Sequence, residues 1–240
     1  MKESIFNNRE GKIPHPLAFS NPDGFLGWMD MEDADQLLHY YRFGIFPWEN
    51  FAHKGAYFFP HKRYLIPPAE IKIAKSIRPY FNQGRFHVTM DLAFESVILC
   101  CKKIKRNNQG GTWISDRFLS LYSNLHQKGY AHSLEVWKDD KLVGGLYGVA
   151  VGKVFTGESM FSLESNASRF GLISLALFLK KINFRYIDCQ IKNHYLEQFG
   201  GFEMNGQDFF GLMKHNFFEE DFVGSWNNLF IEAMKNPISE

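Results

Sequence analysis

Three side chains in this 240-residue sequence have the types and spacing for chemistry: Asp188, Gln190 and Glu158. Asp188 and Gln190 close the run Tyr186-Ile187-Asp188-Cys189-Gln190, which reads as a short buried strand ending in polar residues. Strand side chains alternate, so Asp188 and Gln190 are expected on one face and Ile187 and Cys189 on the other. A carboxylate beside a side-chain amide is costly to bury unless the two satisfy each other. The pattern is therefore either a structural polar pair or the working part of a site. Glu158 follows a glycine at the end of a strand, where low backbone crowding lets a ligand approach. A carboxylate there suits a bound cation or a salt bridge to a neighbouring Lys or Arg.

Composition narrows the setting. Hydrophobic residues make up 45% and charged residues 22%, which is globular composition rather than disorder. With a formal net charge of +1, a nucleic-acid partner needs a local basic face. Lys72, Lys75, Arg78, Arg85, Lys102, Lys103, Lys105 and Arg106 offer one over a stretch with only two acids; a solvated surface is the plain alternative. Three cysteines, two of them adjacent, form neither a disulfide framework nor a zinc pattern, and the nine histidines lack ligand spacing, so no metal or cofactor is expected. The polar N-terminus is no signal peptide, and no apolar run suits a membrane span, so a reducing cytoplasm is expected.

The elements that must position these residues follow from periodicity and punctuation. Asp30 or Asp33 caps a helix that stops at Gly44, and Phe46-Pro47-Trp48 reads as a turn carrying an exposed aromatic. Pro67-Pro68 marks a boundary between a small N-terminal domain (1–67) and the main domain (68–240). Residues 69–85 read as a helix, 87–90 as a strand, and Asp91 as the cap of a helix with Phe94, Val97, Ile98 and Cys101 on one face. Ser115 caps the next helix, which ends at Gly129. A meander over 133–161 follows, then a long apolar helix over 166–182, the Asp188 strand and short helices near 193–199 and 207–217. From residue 86 the order is β-α-α-β-β-β-α-β-α. This is an α/β (α+β) chain: a mixed, largely antiparallel sheet flanked by helices, in the order of GNAT-like acyltransferases. The glycine-rich coenzyme A cradle expected before the long helix is absent from Ser162–Arg169, so an acyl donor other than coenzyme A is expected.

Several segments together resemble the leucyl/phenylalanyl-tRNA–protein transferases of bacteria. They are Gly44-Ile45-Phe46-Pro47-Trp48, Gly111-Thr112-Trp113-Ile114, Ala131–Trp137, Leu142–Ala150, Gly157-Glu158-Ser159-Met160-Phe161-Ser162, Asn166-Ala167-Ser168 and Ile187-Asp188-Cys189-Gln190. They occur in order over most of the chain. The family's Gly-Gly-Asp-Leu-Ser-Pro stretch reads Met29–Ala34 here, and its Trp-Trp-Ser-Pro-Asp-Pro-Arg reads Tyr57–Arg63.

The resemblance implies transfer of Leu or Phe, and Met less often, from aminoacyl-tRNA to the α-amine of proteins beginning with Arg or Lys. The product is a degradation signal, and no coenzyme A is used. It implies that Gln190 contacts the amine with Asp188 orienting it, or that Asp188 is itself the base. Glu158 would hold the cationic acceptor N-terminus. Leu146, Met160, Leu172 and Ile187 would line the amino-acid pocket, and Trp48 and Trp113 would stack on the tRNA 3′ end. The basic residues named above would follow the acceptor stem. A monomer away from the membrane is expected. The competing readings are an aminoacyl-tRNA-dependent transferase acting on a cell-wall precursor, a non-enzymatic tRNA-binding protein and a coenzyme A acyltransferase.

Overall fold

The computed structural model describes residues 13–30, 33–51, 54–104 and 114–235; Lys105, Arg106 and Trp113 lie outside these. Two sheets organise the described chain. The smaller has the order β1-β3-β2 and consists of β1 (Phe25–Asp30), β2 (Phe46–Phe51) and β3 (Lys54–Phe58), all antiparallel. The larger has the order β10-β4-β9-β8-β7-β6-β5. Its strands are β4 (Lys62–Ile66), β5 (His87–Met90), β6 (Ala131–Lys138), β7 (Lys141–Val151), β8 (Val154–Ser162), β9 (Tyr186–Asp188) and β10 (Phe202–Asn205). Every neighbouring pair in it is antiparallel except β8 and β9. Strand β4 precedes the expected boundary at residue 67, yet it lies inside the larger sheet between β10 and β9.

Helices cover both faces of the larger sheet. They are α1 (Ala34–Arg42), α2 (Arg78–Asn82), α3 (Phe94–Lys103), α4 (Asp116–Gln127), α5 (Ala167–Lys181), α6 (His194–Glu197), α7 (Gly206–Asn216) and α8 (Asn227–Ala233). One core joins the small sheet and α1, α3, α4 and α7 to Tyr147, Val149 and Val151 of β7. The opposite core joins α5 and α8 to Leu146 and Ala150 of the same strand. A strand buried on both sides becomes an almost continuous apolar run, as Leu142–Val151 is. Each Leu or Phe fully buried this way contributes about 1.5–3 kcal/mol.

Gly144 is needed because α5 lies directly on β7; a Cβ there would sit 2.7 Å from the Ala167 Cβ. At Gly148 a Cβ would come within 2.3 Å of the Thr156 carbonyl oxygen.

Caps act where expected at Asp33 and Ser115, whose side chains accept from the Gln36 and Phe118 amides, and Asn193 caps α6 by accepting from the Leu196 amide. Three local expectations are corrected. Residues 69–85 are not one helix: a 3₁₀ turn at Pro68–Glu70 leads through irregular chain and a second turn to α2. The Lys72 amide donates to the Phe199 carbonyl instead of to a helical neighbour. Asp91 does not cap α3, whose N-cap is Ala93. Its carboxylate instead accepts from His132 Nδ1, the Ser133 amide and the Trp226 amide, tying β6 and the C-terminal segment together. Phe46-Pro47-Trp48 is not a turn but the start of β2, with Phe46 buried and Trp48 half-buried.

Candidate active site

The site forms where β8 and β9 part. Their parallel pairing runs only from Val154–Thr156 against Tyr186–Asp188. Beyond that, β8 continues beside β7 while the chain after Asp188 turns away. The gap opens as an apolar cleft of about 870 Å³, within the usual range for ligand sites. Leu146, Met160, Leu172 and Ile187 all line it, as expected of an amino-acid pocket. A smaller cavity of about 230 Å³ lies beside it, walled by Phe46, Pro47 and Trp48 of the small sheet. Glu158, Cys189, Gln190 and Asn193 line both cavities and so form their junction.

Three backbone irregularities aim the junction. Gly148 pairs with Gly157 and Tyr147 with Ser159, which leaves Glu158 as the extra residue of a β-bulge. Pro47 pairs with Tyr57 and Glu49 with Ala56, which leaves Trp48 as the extra residue of another. Bulges redirect a side chain out of strict alternation. Gln190 adopts a left-handed backbone with φ 57°, which is uncommon for a residue other than glycine.

This conformation corrects the expectation that Asp188 and Gln190 present one polar face and hold each other by their side chains. Gln190 has left the strand. Its Nε2 donates to the Gly157 carbonyl at 2.8 Å and approaches Glu158 Oε1 at 3.5 Å. Asp188 grips only its backbone, accepting the Gln190 amide at 3.0 Å. With Nε2 committed to a carbonyl, Oε1 is the acceptor that the amide can offer a ligand.

Asp188 is fully buried and lines neither cavity. Its partner is Arg63, which the sequence reading passed over. Arg63 Nε donates to Oδ1 at 2.7 Å and Nη2 donates to Oδ2 at 2.5 Å, a bidentate pair with both residues buried. A slight signal was present: Pro60 and Arg63 are the two residues of Tyr57–Arg63 that keep the family pattern quoted above.

Glu158 makes no ion pair with a Lys or Arg among the described residues. Tyr122 donates to its Oε2 at 2.9 Å, and the Tyr41 and Tyr122 hydroxyls are 2.6 Å apart. Burial pushes the Glu158 carboxyl up to about 7; the two tyrosines oppose this, Asp188 adds to it and Arg63 offsets it. Burial, with the Glu158 charge next, holds both tyrosine hydroxyls well above their usual range. Tyr41 and Tyr122 sit at helical spacing among apolar residues, so nothing in the sequence separates them from core tyrosines. Burial, and then the Asp188 charge, push the Cys189 thiol far up, which disfavours its thiolate.

The basic residues fall into two groups. Lys72, Lys75, Arg78 and Arg85 are exposed on the segment around α2, whose Ile77 and Phe81 belong to the α5-side core. Lys102 and Lys103 end α3, on the opposite face, and Lys102 pairs with Asp116 at 2.5 Å.

A sheet parted after its single parallel pair thus holds an apolar cleft closed by a polar junction. The family model for leucyl/phenylalanyl-tRNA protein transferase matches residues 65–214. The leucyl/phenylalanyl-tRNA–protein transferase of Christiangramia forsetii is 44% identical over 206 residues, covering 85% of this chain and 97% of its own. That of Flavobacterium johnsoniae is 42% identical over 199 residues, covering 83% and 94%. Among solved structures, L-PGS from Bacillus licheniformis overlays 67% of this chain and 51% of its own at a TM-score of 0.38 and 9% identity, a likeness too distant to carry an argument. The chain belongs to the leucyl/phenylalanyl-tRNA protein transferase family and is an aminoacyltransferase.

Proposed function

We propose that the protein transfers Leu or Phe, and Met less readily, from aminoacyl-tRNA to the α-amine of proteins that begin with Arg or Lys, creating an N-terminal degradation signal. The observation that carries this reading is the junction: Glu158 and Gln190 stand between an apolar cleft and a second, aromatic-walled cavity. The cleft is roomy and apolar, as suits guests told apart by shape. The donor side chain enters it past Leu146, Met160, Leu172 and Ile187, and Met160 adapts to guests of different form. Trp48 offers the terminal adenosine a ring face beside the smaller cavity, and Trp113 is assigned the same task. The exposed basic residues attract the acceptor stem.

Glu158 attracts the cationic acceptor terminus. The neutral α-amine donates a hydrogen bond to Gln190 Oε1, which aims its lone pair at the ester carbonyl carbon. The C–N bond forms, and the bond from the carbonyl carbon to the ribose oxygen breaks. The proton lost by the amine ends on the released ribose hydroxyl. An α-amine has a pKa of about 8, so neutral pH supplies enough of the free base without a strong one. Asp188 lines neither cavity, so its role in this reading is to hold Gln190, not to take the proton.

The test mixes the protein with charged Leu-tRNA or Phe-tRNA and peptides beginning with Arg, Lys or Ala, and weighs the products. A gain of one Leu or Phe on the Arg and Lys peptides alone is expected. Transfer to a cell-wall precursor instead, or from acyl-coenzyme A, overturns the reading.

A further inference from the structure

We propose that Arg63 is a positioning residue for the transfer, one that sets Gln190 through Asp188. The proposal rests on the reading that Gln190 contacts the acceptor amine. Arg63 occupies β4, while Gln190 sits beyond the end of β9, and the two are joined by a chain of short polar contacts. The guanidinium donates twice to Asp188. Asp188 Oδ1 in turn accepts the Gln190 amide at 3.0 Å. Main-chain bonds run alongside: the Tyr64 amide donates to the Gln190 carbonyl at 3.1 Å, and the Cys189 amide to the Tyr64 carbonyl at 2.9 Å. Gln190 is thus held at both ends of its peptide unit by residues adjoining or contacting Arg63. An uncommon left-handed backbone persists only where its surroundings over-determine it, and this is the bracing that does so.

The fork is itself fixed. Its carbon lies 4.7 Å from the Phe46 ring centroid and 4.5 Å from that of Phe209. Nη1 is buried without a hydrogen-bond partner, so aromatic faces take the place of a second acceptor there. Phe46 also walls the smaller cavity. Arg63 therefore ties the small sheet that carries Trp48 to the loop that carries Gln190. A buried ion pair is weak support for stability, because desolvation offsets the attraction. Geometry is what a bidentate guanidinium supplies and an ammonium does not.

Arg63→Lys keeps the charge and loses the fork. It is expected to fold, to bind aminoacyl-tRNA with wild-type affinity, and to lower kcat by about 10- to 100-fold with little change in KM for the acceptor, the scale of effect produced by ångström-level misplacement. A double variant, Arg63→Met with Asp188→Asn, leaves no unpaired charge and carries the same expectation should the lysine variant melt too early. Gln190→Ala is the control and is expected to lose transfer. If Gln190→Ala is inactive while the folded Arg63 variants keep kcat within twofold of wild type, Arg63 is structural only and the proposal fails alone. If Gln190→Ala is fully active, the proposal and the reading of Gln190 fall together.

Discussion

In the proposed reading, the Glu158 carboxyl, lifted by burial to about 7, makes acceptor binding pH-dependent in a way that can be worked out in advance. Only the ionised form attracts a cation. The ionised fraction is about 10% at pH 6, half at pH 7 and about 90% at pH 8, so the affinity for an Arg-initial peptide weakens about tenfold from pH 8 to pH 6. A cation at about 4 Å in a partly shielded cleft gains about 4 kcal/mol from the charge, which pulls the carboxyl back down on binding. Near pH 6.5 each binding event should then release about three-quarters of a proton from this group. Titration calorimetry in two buffers of different ionisation enthalpy measures that release. Glu158→Gln removes the Glu158 share and leaves only what the peptide amine contributes, so the difference between the two proteins isolates the carboxylate.

The same group acts on stability with the opposite preference. Its folded pKa lies above the unfolded value near 4.5, so its contribution is fully present below pH 4.5 and is lost as pH rises through 7. The loss is bounded by about 3 kcal/mol and is smaller in practice, because Glu158 still meets solvent in the cleft. Glu158→Gln should match the wild type in thermal unfolding at pH 5 and exceed it at pH 8. A Gln variant less stable than wild type at pH 8, or a peptide affinity flat from pH 6 to 8, would refute this account of the carboxylate.

Three further outcomes follow from the geometry. Asp188→Ala leaves Arg63 buried and unpaired, which costs about 3–5 kcal/mol and lowers the melting temperature by about 6–20 °C; differential scanning calorimetry reads this directly. Leu172→Phe fills part of the cleft and should move the preference from Phe toward Leu by about tenfold in kcat/KM, measured by competition between the two charged tRNAs. Trp48→Ala should weaken aminoacyl-tRNA binding by about 1–3 kcal/mol in a filter assay, while transfer at saturating tRNA is much less affected.

The elements that obey simple periods were legible in the sequence. The apolar run of β7, the caps at Asp33 and Ser115, and the long helix α5 all follow from side-chain alternation, helical spacing or capping chemistry. The four residues assigned to the amino-acid pocket do converge on one cleft. Glu158, Trp48 and Gln190 were named from residue type and resemblance, but where their side chains point was not legible, because it depends on departures from the period. Glu158 and Trp48 are bulge residues, and Gln190 has a left-handed backbone, so alternation predicts the wrong direction for each. Asp91 carries a positive φ and serves three distant donors instead of the helix beside it. Residues 69–85 looked helical because their lysines fall at helical spacing, yet Ile71 and Ile73 are two apart and both pack on the core beneath. Arg63 was passed over because its partner is 125 residues away, and its match to the family pattern does not say that the charge is buried.

The placement of β4 has a consequence for how this chain is made. Its neighbours on either side, β9 and β10, are among the last strands synthesised, whereas β4 is completed early. During synthesis the early segment emerges with both edges of β4 unpaired, and Arg63 without its carboxylate. Unpaired edges invite intermolecular association. Pairings between remote segments also form slowly, because a long loop must close first. The junction between the two cavities is therefore assembled only when most of the chain is present. A ribosome-stalled chain, or one clipped before β9, carries Trp48 and Arg63 with no Asp188 or Gln190 to receive them.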